Sequence, residues 1–189
     1  MASLSVRVDV NVLTGAVAFT DICGFTEFTA VRGDADALTL LTTQERLVRA
    51  CLPEDARVVK ELGDGLLLWF AEADAALATT LDMQDAFRAE ATATELPLWV
   101  RIGLHWGQQT RRGDDLIGHD VNIASRVADV AGPAEVVITD ALLAQLMSTA
   151  DVADLEVDEL GPVVMRGLPD PVRLFRVARA EEPAQVNLS

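Results

Sequence analysis

At 189 residues the chain fits one domain, large enough to bury a full core without disulfide or metal staples. Its 30 acidic against 15 basic residues, a formal charge of −15, argue against nonspecific nucleic-acid binding, which needs a basic footprint. An anionic ligand would have to arrive with a cation. Two cysteines, Cys23 and Cys51, make neither a disulfide framework nor a CxxC metal pattern and suit a reducing compartment.

The first residues alternate Val6, Val8, Val10 and Val12 with Arg7, Asp9 and Asn11, without the apolar stretch of a signal peptide. They read as a separate strand or as an extension of a first strand over residues 16–20. Asp21 closes that strand, and Gly24 follows where a backbone without Cβ can turn close to a ligand. A helical region is expected over 25–50, anchored by Phe25 and Phe28, with Leu38, Leu41 and Val48 at near-helical spacing. Residues 57–62 and 66–70 flank Asp64-Gly65, a hairpin signal in which both turn residues take positive φ and Asp64 stands at the tip. The run 66–70 does not alternate, so one of its faces should be covered by helices and the other by a partner.

Next come a helix over 72–91, apolar at Leu77, Leu81 and Phe87, and a strand over 98–104 with Trp99 set against Val100 and Ile102. A polar elbow, 108–115, leads to a helix from an Asp120 N-cap to Gly132-Pro133. Strands follow at 135–139 and 172–177, and from about residue 180 the composition reads as a frayed tail, leaving 1–179 as the domain. The longest apolar run stops at Glu72, far short of the ~20 residues of a bilayer span, so no membrane partner and a cytoplasmic location are expected. This order predicts an α+β sandwich with a ferredoxin-like core, a mostly antiparallel sheet with helices packed on it.

Asp21 and Asp64 converge if the hairpin pairs with the first strand, giving two carboxylates for hard divalent cations such as Mg²⁺ or Mn²⁺. Either alone reads as a capping or turn residue; together, each beside a glycine at an apolar strand end, they favour metal. Asn122 and Arg126 stand four apart on one helix face, an amide to hold a sugar or a positioned water and a guanidinium to clamp a phosphate, although by spacing alone a solvated face with Asn near the cap is the better explanation. Lys60 and Asp115 taken singly are surface charges. His105 reads as structural, and Trp69, Trp99 and Trp106 as core or interface residues rather than a stacking platform.

These stretches, 19–26, 59–65, 101–107, 115–126 and 166–175, resemble in order the class III nucleotidyl cyclase catalytic domain, specifically the bacterial adenylate cyclases. The resemblance implies that Asp21, Asp64 and the Ile22 backbone carbonyl hold two divalent cations, Mg²⁺ or Mn²⁺, that Lys60 and Asp115 read the base, that Asn122 orients the ribose and that Arg126 stabilises charge at the reacting phosphorus. Arg166 falls where the family often places a basic residue that touches the triphosphate, and Arg111 and Arg112 where an elbow packs on the partner. The implied reaction is attack of the ribose 3′-oxygen of ATP on the α-phosphorus, giving cyclic AMP and pyrophosphate. The implied partner is a second copy in a head-to-tail homodimer, with the aspartates from one subunit and the other four side chains from its mate. Lys60 can donate to adenine N1 and Asp115 accept from its amine, whereas guanine reverses both signs, so ATP is expected over GTP. A diguanylate cyclase fits less well, because the tip Gly63-Asp64-Gly65-Leu66 lacks a second acidic residue. The alternative is a non-catalytic cyclase-like module that binds nucleotide or a partner. The resemblance extends from about residue 14 to 178, and with so few residues on either side of it no sensor domain is expected.

Overall fold

The computed structural model describes residues 11–149 and 154–180; the valines before residue 11 and the expected tail lie outside the described residues. An eight-stranded sheet carries the chain in the order β2-β3-β1-β4-β6-β8-β7, with β5 beside β4. The strands are β1 (Asn11–Ile22), β2 (Arg57–Leu62), β3 (Gly65–Phe70), β4 (Val100–Arg112), β5 (Asp115–Ile117), β6 (Val136–Thr139), β7 (Leu155–Val163) and β8 (Val172–Arg179). Between them run α1 (Phe25–Arg32), α2 (Asp34–Cys51), α3 (Ala73–Thr94), α4 (His119–Val130) and α5 (Asp140–Thr149). The pairings are antiparallel except β4 with β6, so the α+β architecture and the mostly antiparallel sheet follow the expectation.

Strand alternation sorts the core into two layers. Ala16 and Ala18 of β1, Leu66, Leu68 and Phe70 of β3, and Ile102 and Leu104 of β4 face α2, α3 and α5 in the larger cluster. Val17 and Leu67 face the other way, against Val121 and Ala124 of α4 and Leu116 of β5. Both faces of β3 are thus covered from within the chain, and the partner expected over its second face is replaced by α4.

Several boundaries differ from expectation for local reasons. The helical region breaks at Gly33 into α1 and α2, and Leu38 points out, 64% exposed, while Leu40, Leu47 and Val48 make the buried stripe. The hairpin register pairs Leu62 with Gly65, so the two-residue loop is Gly63-Asp64; only Gly63 has positive φ, 74°, as a glycine in the first loop position allows. β4 does not end at Leu104 but continues through the expected elbow to Arg112, pairing with β1 along its length and turning back at Gly113-Asp114 into β5. Asp120 is not the N-cap of α4, which is Gly118; its carboxylate instead accepts from the Gln108 backbone N–H at 2.6 Å. α5 and β7 have no counterpart in the sequence reading. Trp99 is 54% exposed, while Trp69 donates from Nε1 to Gln109 Oε1 at 3.0 Å and packs in the core.

Candidate active site

The antiparallel pairing of β1 with β3 sets Asp21 directly across from Gly65, one residue past Asp64. The two aspartates line an open cleft of about 330 Å³ together with Ile22, Cys23, Gly24, Phe25, Thr26, Glu27 and Arg101. Gly24, at φ 75° and ψ 19°, makes the left-handed turn from β1 into α1, so the first turn of that helix opens on the cleft, a place suited to an anion. Ile22 buries its side chain in the core, which leaves its main chain as its contribution to the cleft. Burial, and then the neighbouring Asp21 carboxylate, push the Asp64 carboxyl above the ordinary range. Two like charges held at one opening are a position a cation relieves.

The donors fit a hard divalent ion. No group of three or more His, Cys, Asp or Glu side chains among the described residues is arranged to hold a metal. Mg²⁺ asks for less: one or two carboxylates, with water, backbone oxygen and substrate phosphate completing its octahedron. Burial pushes the Cys23 thiol up, with Arg101 opposing and Asp21 adding to it, so the thiol is a poor competitor for such an ion.

Sequence reasoning passed over Arg101. It stands opposite Asp21 in the β1–β4 register and donates from Nε to Asp21 Oδ2 at 2.6 Å, with the side chains 27% and 29% exposed. The usable signal was positional: once β4 is placed beside β1, a basic residue at the start of the 101–107 stretch falls next to the acid that closes β1.

Lys60 and Asp115, 55 residues apart, meet at the β2 and β5 side of the α4 face. Lys60 Nζ donates to Asp115 Oδ2 at 2.7 Å, and Asp115 Oδ1 accepts from the Leu116 backbone N–H at 2.7 Å. The Lys60 hydrogen bond, as the leading cause, holds the Asp115 carboxyl below the ordinary carboxylate range. The pair presents a donor beside an acceptor. Asn122 and Arg126 lie on the exposed side of α4, whose opposite side carries the buried Val121, Ala124, Val127 and Ala128. Arg126 Nη1 is held by Asp129 Oδ2 at 2.9 Å. None of Lys60, Asp115, Asn122 or Arg126 lines the cleft of Asp21 and Asp64. Arg166 sits in an exposed turn between β7 and β8, outside that cleft. Arg111 is tied to its own turn through the Gly113 carbonyl at 2.8 Å.

His105 is structural as expected: it is 6% exposed, with Nδ1 2.9 Å from Thr139 Oγ1 and Nε2 3.6 Å from Asp120 Oδ1. Burial lowers its pKa below the usual 6.5.

The fold and this arrangement define a nucleotidyl cyclase domain. Residues 11–178 match the family described as adenylate and guanylate cyclase catalytic domain, and the chain belongs to that family. It is 31% identical over 88% of its length to a serine/threonine-protein kinase, pkn2, of Myxococcus xanthus, matching 20% of that longer protein. It is 29% identical over 86% of its length to a pH-sensitive adenylate cyclase of Mycobacterium tuberculosis, matching 40% of it. The chain therefore spans less than half the length of these relatives. Its fold is that of the adenylyl cyclase CyaB from P. aeruginosa, with a TM-score of 0.79 over 93% of this chain and 98% of that one at 21% identity. No helix among the described residues is long and apolar enough to cross a membrane.

Proposed function

We propose that the chain converts ATP to 3′,5′-cyclic AMP and pyrophosphate at two sites shared across a head-to-tail homodimer. The observation that supports the shared site is the division within one chain. None of Lys60, Asp115, Asn122 and Arg126 lines the acidic cleft of Asp21 and Asp64, and in this reading the two groups are half-sites that a second copy completes, each chain bringing the missing half to the other.

In that reading Asp21, Asp64 and the Ile22 carbonyl hold two divalent cations, Mg²⁺ or Mn²⁺. Bound there, such ions lower the pKa of the ribose 3′-hydroxyl and neutralise charge on the leaving pyrophosphate. The chain's own residues do the rest by position. The start of α1 receives phosphate oxygens with its free N–H groups. The mate's Asn122 orients the ribose, and its Arg126 supplies charge at the α-phosphorus in a partly dehydrated setting, where fixed charges count most. Lys60 donates to adenine N1 and Asp115 accepts from the 6-amino group, the opposite of what guanine offers. Their mutual hydrogen bond supports this use, since it holds Asp115 ionised and Lys60 aimed before the base arrives.

Mixing tests the reading. Asp21→Ala and Arg126→Ala should each be inactive alone. Mixed in equal amounts, half the dimers are mixed and each has one intact site, so activity should return to about one quarter of wild type. Activity that does not return, from variants shown to dimerise, would place the whole site within one chain.

A further inference from the structure

Arg101 touches more than Asp21. Its Nη1 lies 3.3 Å from the Asp129 backbone carbonyl, and its Nη2 is 3.9 Å from Asp129 Oδ1. Asp129 Oδ2 in turn holds Arg126 Nη1 at 2.9 Å. Asp21, Arg101, Asp129 and Arg126 therefore form an unbroken run of alternating charge from the acidic cleft to the outer face of α4. Packing enforces the run. α4 lies so close on β4 that a Cβ at Gly103 would overlap the Ala128 backbone, which puts Asp129 within reach of the arginine two residues before that glycine.

A divalent cation and the Arg101 guanidinium compete for the same Asp21 carboxylate. When Asp21 is taken, the guanidinium has a second carboxylate already within 3.9 Å, and its planar fork can bind there with two N–H groups. Asp129 then exchanges its loose 3.9 Å contact with Arg101 for a close one, and its hold on Arg126 is shared. We propose that Arg101 is a tethered cation that holds the metal seat on Asp21 and swings to Asp129 when a divalent ion takes that seat, loosening Arg126. Arg101 and Asp129 are positioning residues in this scheme, and the scheme rests on Asp21 being a metal ligand. In the shared-site dimer, occupation of one cleft readies the arginine that serves the other.

The test is Mn²⁺ binding without nucleotide, followed by the loss of the free-ion electron paramagnetic resonance signal. Arg101→Gln should bind Mn²⁺ about 3- to 30-fold more tightly than wild type, the range expected for losing a partly exposed charged hydrogen bond. Asp129→Asn, which removes the second seat, should bind about 2- to 5-fold more weakly. The double variant should match Arg101→Gln, because Asp129 acts only through Arg101. Additive effects, or Arg101→Gln binding no tighter than wild type, would overturn the proposal. Asp21→Ala is the separate control: if it binds Mn²⁺ as wild type does, the metal reading itself falls and the exchange falls with it. Should Arg101→Gln fail to fold, ¹⁵N resonances of the arginine Nε groups in the unaltered protein decide the matter. Those of Arg101 and Arg126 should shift together on Mg²⁺ titration, and a stationary Arg126 refutes the relay.

Discussion

Gly103→Ala isolates the contact on which the geometry of the α4 half-site depends. Gly103 faces α4 from near the start of β4, and an added Cβ would fall inside the normal contact distance of Ala128 N, Ala128 Cα and Val127 C. These are backbone atoms, so no rotamer change relieves the overlap, and α4 has to retreat by roughly 1 Å to restore van der Waals separation. Overpacking of this kind costs about 1–3 kcal/mol, or roughly 2–12 °C in Tm for a domain of this size. The helix that moves carries Asn122 and Arg126, and a displacement of about 1 Å at such groups can cost on the order of 10²-fold in rate. Circular dichroism melts and cyclic AMP formation with saturating Mn²⁺ check the two effects together. A variant that melts within 1 °C of wild type and keeps its rate would refute the claim that α4 packs on Gly103 and positions the site.

Lys60→Ala should leave stability within about 1 kcal/mol, since both partners of its ion pair are 38% exposed, while narrowing the proposed preference for ATP over GTP, measured as kcat/KM, by at least about 10-fold. Asp64 has a carboxyl pKa raised by burial and by Asp21, so its ionisation opposes folding and stability declines as pH rises through the raised value. Asp64→Asn should therefore melt no lower than wild type in EDTA at pH 7 and lose the Mn²⁺-induced rise in Tm; a retained rise would remove Asp64 from the metal site. His105 has the opposite sign: its folded pKa is lowered by burial, so stability is complete above about 6.5 and falls as pH drops toward the folded value. Denaturant titrations between pH 7 and 5 should show that decline, and it should flatten in His105→Gln.

How much of this was legible in the sequence depends on the range of the interactions involved. The aspartate pair was, because Asp21 ends an apolar strand and Asp64 stands in a two-residue loop, both local signals that survive whatever packs around them. The hairpin register slipped by one residue, since Gly63 and Gly65 flank Asp64 and either can supply the turn glycine. Polar Gln108 to Arg112 concealed the length of β4, because those residues are held by pairing with β1 and, at Arg112, with β5 rather than by burial of apolar side chains. The cover on Leu67 was assigned to a partner for want of the topology that brings α4 over the sheet. Arg101 went unnoticed for the same reason: its meaning comes from Asp21, 80 residues away in sequence, and only the β1–β4 register makes them neighbours.

The central claim meets its most direct test in product analysis. Purified protein is incubated with ATP or GTP and Mn²⁺ or Mg²⁺, products are separated by chromatography, and Asp21→Ala is run beside it. The account predicts cyclic AMP and pyrophosphate from ATP, far less cyclic GMP from GTP, and no cyclic product from the variant. Nucleotide binding without any cyclic product, at a concentration where the chain is dimeric, would contradict it and identify the protein as a cyclase-like binding module.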